Sequence, residues 1–156
     1  MRNRQKGFSL IELLIVVAII LIIAAIAIPN LLRSRMAANE ASAVGSLRTI
    51  NTAAVTYSSQ CGGFPPTLAA MGPPSAGCAT ADLIDQVLST GTKGGFTFTY
   101  AAVDPDGDGN FDTYTIVADP VTLGTTGNRS FFTDQSGVIR AKVGALGASA
   151  ADPPIS

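Results

Sequence analysis

The 156-residue sequence has no histidine and no tryptophan. Without histidine, the commonest general base and the commonest metal-binding side chain are missing. No Cys–His or Ser–His–acid arrangement can be built, and no carboxylate pair stands outside one acidic loop, which argues against an enzyme. Charge is scarce as well: charged residues make up 13% of the chain and the formal net charge is −1. Residues 1–7 hold Arg2, Arg4 and Lys6 and no acid, so they carry +3, and the remainder carries −4. Such a balance leaves no broad basic face and no direct nucleic-acid site. Phe8, Tyr57 and Phe64 are the only aromatics in the first 64 residues, too few to support electron conduction along the helix.

Cysteine is limited to Cys61 and Cys78, which enclose a glycine- and proline-rich segment. An even count beyond a membrane-targeting segment suits a disulfide in an oxidising compartment; two reduced thiols are the alternative. A zinc site lacks the ligands to fill a tetrahedral shell.

What the sequence does have is a long apolar run, Phe8 to Ile28, interrupted only by Ser9 and Glu12. At about 1.5 Å per residue it reaches roughly 30 Å, one hydrocarbon thickness. A signal peptide cut after Ala25-Ile26-Ala27, a plain membrane anchor, and a helix that waits in the bilayer until it is packed elsewhere all compete. The signal peptide fits poorly, because its core would hold an acid and its cut would fall beside Pro29. The pattern also continues beyond Asn30. Val44, Leu47, Ile50, Ala54 and Tyr57 recur at spacings of three and four, opposite Arg33, Arg35, Asn39, Glu40, Ser46 and Thr49. This predicts one helix of about 50 residues, apolar all round in 8–29 and amphipathic in 30–60. Pro29 removes a hydrogen bond to the Ala25 carbonyl, giving a kink or a point where the helix bends on assembly.

Glu12 needs a partner, since a carboxylate in lipid costs roughly 2.5–3.5 kcal/mol. If the chain were cut after Gly7, the new Phe8 amine would lie one helical turn from Glu12, in the same chain or a neighbour. A carboxylate that merely snorkels to the lipid surface is the alternative.

Lys6-Gly7-Phe8-Ser9-Leu10-Ile11-Glu12-Leu13-Leu14, with Pro29 further on, resembles the start of type IV pilins and of the related pseudopilins of type II secretion. The resemblance implies a leader, 1–7, removed by a prepilin peptidase between Gly7 and Phe8, followed by N-methylation of Phe8. It implies that Glu12 neutralises Phe8 of a neighbouring subunit, and that an antiparallel-sheet headgroup packs on the C-terminal half of the helix. The partners implied are copies of the chain itself in a helical homopolymer, the pilus assembly machinery, and the bacterial inner membrane before assembly. The precursor would span that membrane once with its leader cytoplasmic, and the assembled pilus would be extracellular. Many pilins close a C-terminal loop with a disulfide, whereas both cysteines here follow the helix, so that loop must be held otherwise or be loose.

The fold class expected is therefore α+β. Residues 61–95 form a connector with the disulfide loop and a short helix over Ala81–Ser89, capped by Thr80. Residues 96–143 form a four-stranded antiparallel sheet with strands at 96–103 and 112–121 and a hairpin over 129–143 turning at Asp134–Gly137. The tail 144–156 is expected to be loosely held. Asp104, Asp106, Asp108 and Asp112 occupy positions 1, 3, 5 and 9 of a calcium-loop pattern, with Gly109 at position 6. Thr115 replaces the bidentate glutamate at position 12, and an acidic hairpin turn explains the same residues. No cofactor is expected, calcium at this loop being the single candidate. A filament subunit is the first reading; a pseudopilin and a secreted soluble binding module are the alternatives.

Overall fold

A computed structural model describes residues 8–155. The chain divides into two compact units, 1–35 and 36–156. Helix α1, Leu10–Cys61, contributes to both and contains Pro29. In the first unit every residue from Phe8 to Arg35 is exposed except the half-buried Ala24. The leader, including Gly7, lies outside the described residues.

The second unit is an α+β fold. Strands β1 (Thr92–Lys93), β2 (Phe96–Val103), β3 (Thr113–Pro120), β4 (Arg129–Asp134) and β5 (Arg140–Val143) form one antiparallel sheet in sequence order. The sheet has five strands where four were expected, because residues 92–93 turn at Gly94–Gly95 and pair with Phe96 and Thr97. Register follows the apolar alternation. Phe98 faces Ala118, Tyr100 faces Ile116, and Phe131 faces both Ala118 and Ala141. Those side chains fill one face of the sheet, and Ala43, Leu47, Ile50, Ala54 and Tyr57 of α1 complete the core.

The helix face differs from expectation at its polar positions. Val44 is only half-buried, whereas Glu40 and Ser46, placed on the solvent side by their polarity, are buried. Glu40 is buried because the sheet supplies donors for it. Its Oε1 accepts from the Asn128 and Arg129 N–H groups at 2.7 and 3.1 Å, and its Oε2 from Arg129 Nε at 2.7 Å. Asn51 bridges helix and sheet in the same way: its amide donates to Thr133 Oγ1 at 3.0 Å and accepts from the Tyr114 hydroxyl at 3.1 Å. Directional bonds of this kind fix a register that apolar contacts alone leave loose.

Gly62, with φ at 83°, takes the left-handed position that ends α1, and its N–H returns to the Ser58 carbonyl. The connector then forms a helical turn α2 (Leu68–Met71), a 3-10 turn (Gly77–Ala79) and a turn α3 (Gln86–Ser89). The expected helix from Ala81 thus begins five residues later. Asp82 has φ at 52°, and the N–H groups of Ala81, Asp82 and Leu83 donate to carbonyls of Ala70, Gly72 and Met71. The cap is Asp85, which accepts from the Leu88 N–H, not Thr80.

The tail is also held more firmly than expected. Asp119 accepts from the Ser130 hydroxyl and, at 2.9 Å, from the Gly147 N–H, while Ser130 accepts from the Ala148 N–H at 3.0 Å. Ala148 is buried. Residues 153–155 then pair along β5: Ala141 N–H donates to the Pro153 carbonyl, and Ile155 N–H to the Ile139 carbonyl. Polar side chains of β3 and β4 thus hold the C-terminal segment without a disulfide.

Candidate functional site

Three features of the sequence reading take shape, each within one unit. The first is the N-terminal helix. Its apolar side chains are exposed all round, from Phe8 at 85% through Leu14 and Ile22 to Leu32. α1 is long and apolar enough to cross a membrane. Full burial of each such side chain is worth ~1.5–3 kcal/mol against water, so lipid or packing against other apolar surfaces would stabilise this helix.

Glu12 sits at the start of that helix in a role the sequence reading missed. Its Oε2 accepts from the Ser9 N–H at 2.9 Å, while the Ser9 carbonyl accepts from the Leu13 N–H. Ser9-Leu10-Ile11-Glu12 has the S-x-x-E spacing of a capping box, and one half of it is formed, the Glu12 carboxylate returned to the Ser9 N–H. That signal was legible in the sequence. The carboxylate therefore already lies one residue along from the Phe8 nitrogen. Pro29, the other expected assembly residue, lies exposed within α1.

The second feature is the connector. Cys61 and Cys78 form a disulfide with Cα atoms 5.8 Å apart. It ties the end of α1 to the 3-10 turn, and the Tyr57 hydroxyl donates to the Cys78 carbonyl beside it.

The third is the acidic loop, which docks on that connector. Phe64 N–H donates to the Phe111 carbonyl at 2.7 Å. Gly63 has no room for a side chain, since a Cβ there would meet Asn110 Cβ and Phe111 N at 3.0 Å. Within the loop, Asp104 accepts from the Gly107 and Gly109 N–H groups at 2.8 and 3.0 Å, and Asp108 accepts from Asn110 N–H at 2.7 Å. One carboxylate oxygen each of Asp104, Asp106 and Asp108 lie within 4.8 Å of one another. Asp112 is not among these three; its N–H donates to the Val103 carbonyl and leads into β3. The Gly109 N–H chiefly holds Asp104 below the usual carboxylate range. Asp106 is different: the Asp108 N–H would lower it, but the hydrogen bond shared with Asp104 and the charge of Asp108 outweigh this and raise it. Three carboxylates are thus crowded into one turn, where the N–H groups of Gly107, Asp108, Gly109 and Asn110 donate to their oxygens.

Glu40, Asn51 and Asp119 were not recognised as anchoring residues. Glu40 carried a signal, because it lies three residues before Ala43 and seven before Leu47, in line with the apolar face. Asp119 carried none, since its donors come from residues 11 and 28 positions away.

Comparison with known proteins bears on the first feature. Residues 2–28 match the prokaryotic N-terminal methylation motif. Over 40 residues, 26% of this chain and 30% of the relative, the sequence is 68% identical to the type IV wide pilus major component PilA4 of Thermus thermophilus. Over 57 residues, 36% of this chain and 26% of the relative, it is 46% identical to the type IV major pilin protein PilA of Myxococcus xanthus. The matched stretches span less than a third of the length of either relative. The resemblance to type IV pilins read from residues 6–14 is therefore borne out at the N-terminal helix.

Proposed function

We propose that this chain is the precursor of a structural, non-catalytic subunit of a type IV pilus filament. The observation that carries the reading is a helix apolar and exposed on every side from Phe8 to Leu32, with one carboxylate, Glu12, already at its first turn. In this reading residues 8–29 hold the precursor in the bacterial inner membrane with the leader on the cytoplasmic side. A prepilin peptidase adds water across the Gly7–Phe8 bond, leaving a Gly7 carboxylate and a Phe8 ammonium, and the Phe8 nitrogen is then methylated. The ammonium arises one residue from the Ser9 N–H that Glu12 holds at 2.9 Å, so a small rotation lets the carboxylate exchange one donor for the other, or reach the ammonium of the next subunit. The pilus assembly machinery then moves the helix from lipid into a bundle of its own copies. Apolar burial is roughly conserved in that transfer, so the charge pair, whose misplacement in an apolar core costs several kcal/mol, sets the register. The polymer is extracellular.

The test is mass spectrometry of purified fibres together with Glu12→Ala. Fibres should contain a chain starting at a methylated Phe8. The Glu12→Ala precursor should be cleaved yet yield no fibres. An intact leader in the fibre, or a normal fibre yield from Glu12→Ala, overturns the reading.

One observation favours a second reading. The clustered carboxylates of Asp104, Asp106 and Asp108 would suit a weakly held calcium ion, which fits the pseudopilin side of the resemblance. Short periplasmic fibres in place of long surface fibres would select the pseudopilin.

A further inference from the structure

The globular unit is electrically lopsided along its strands. The β2–β3 hairpin ends at Val103–Thr113 on one side, and the two strands end at Phe96–Pro120 on the other. The hairpin end carries Asp104, Asp106, Asp108 and Asp112, and Asp134 of β4, opposite Thr115, lies close behind. The other end is where α1 joins the sheet: Asn39 donates to the Thr126 carbonyl at 2.9 Å, and Glu40 holds Asn128 and Arg129. Three acids there have partners, two of them cationic. Glu40 pairs with Arg129, Asp85 with Lys93, and Asp119 with Ser130 and Gly147. Among the described residues Lys142 has only the Gly147 carbonyl, at 3.4 Å.

That same end exposes Val121 (58%), Leu123 (39%), Val143 (69%) and Leu146 (51%). Their loops are tied together, since Gly124 N–H donates to the Gly127 carbonyl and Gly144 N–H to the Asn128 carbonyl, both at 2.8 Å. Large aliphatic side chains grouped on one end of a small unit ask for a partner. Chain length limits where that partner can be. Asn39 follows Ile28 by eleven residues, at most about 40 Å even if fully extended. With the apolar run in a bilayer, chain length alone keeps this end within that reach of the bilayer surface.

We propose, building on the anchored precursor above, that before assembly this end rests on an anionic phospholipid surface. Val121, Leu123, Val143 and Leu146 enter the interfacial layer, and Lys142 meets lipid phosphate. The aliphatic side chains supply the attraction. The aspartate-rich end, repelled by the same anionic surface, selects the orientation, and added salt weakens that selection.

The absence of tryptophan makes the test clean, because one introduced indole is the only one in the chain. The full chain is reconstituted in phosphatidylcholine vesicles with and without phosphatidylglycerol, and quenching by brominated lipid is measured for Leu123→Trp, Val143→Trp, Val103→Trp and Ile20→Trp. Val103 is 50% exposed at the hairpin end and controls for the indole's own liking for interfaces. Quenching and a blue shift at positions 123 and 143 but not 103, stronger with phosphatidylglycerol, support the proposal. Lys142→Gln should then weaken the phosphatidylglycerol effect roughly fivefold. Equal, weak quenching at 123, 143 and 103 with strong quenching at 20 overturns it while leaving the anchor intact. No quenching at position 20 overturns the anchor and this inference with it. Quenching at 123 and 143 that ignores phosphatidylglycerol overturns the anionic specificity.

Discussion

Glu40 offers the sharpest test of how helix and sheet are joined. It is 7% exposed, and its carboxylate takes two backbone N–H groups and one guanidinium N–H. In Glu40→Ala those two backbone donors lose their acceptor in a site with little water, at a cost of ~1–3 kcal/mol each. The Arg129 side chain is 43% exposed and can turn to solvent, so its ion pair adds less than about 1 kcal/mol. The sum is roughly 2–7 kcal/mol, a large part of the 5–15 kcal/mol typical of a whole domain. For a unit of this size that lowers the melting temperature by about 10 °C or more. Glu40→Gln keeps an oxygen for the backbone donors and loses the charge, so it should cost about 1 kcal/mol. The assay is thermal melting of the full chain in detergent, followed by near-ultraviolet circular dichroism of the buried tyrosines, because the apolar helix would mask a far-ultraviolet signal. Once Glu40 is alanine, Arg129→Ala should add little, as two mutations sharing one interaction do. A Glu40→Ala melt within about 2 °C of the parent would show that these bonds do not hold the helix to the sheet.

Asp119→Ala should release the tail while leaving β2–β4 in place, seen as faster hydrogen exchange at Gly147 and Ala148; unchanged exchange there refutes the anchoring role. Millimolar calcium should raise the melting temperature of the full chain and Asp106→Ala should abolish the rise, with affinity near the ~10⁻⁴–10⁻³ M of weak extracellular sites; superposed melts with calcium and with chelator reduce the loop to an acidic turn. Burial, with a contribution from the charge of Asp134, pushes the Tyr114 hydroxyl up to about 12, and burial raises that of Tyr100 as well. A raised folded value means this stability is fully present below the unfolded value near pH 10 and is lost as pH rises towards the folded one. Tyr114→Phe should therefore blunt alkaline unfolding above pH ~10, and tyrosinate absorbance that appears at pH ~10 without unfolding counts against the burial of the Tyr100 and Tyr114 hydroxyls.

By itself the sequence determined what depends on short-range periodicity and composition. The helix, read as beginning at Phe8, is observed from Leu10 to Cys61, because its spacing of three and four is unbroken and Gly62 stops it. β2 and β3 were legible because Phe96, Phe98 and Tyr100, and Tyr114, Ile116 and Ala118, alternate cleanly against a single core face. The candidate filament-core helix was legible for the same local reason, since apolar residues on every side together with one acid form a linear pattern. Tertiary structure decided whatever depends on a partner distant in the chain. Glu40 and Ser46 are polar and were assigned to water, yet the sheet brings Asn128 and Arg129 to Glu40 from 88 and 89 residues away. The two-residue β1 exists only because β2 is there to pair with it. A tail of small residues and prolines carries no strand pattern, and it is fixed because Asp119, Ser130 and the edge of β5 present acceptors and donors that only the folded sheet aligns.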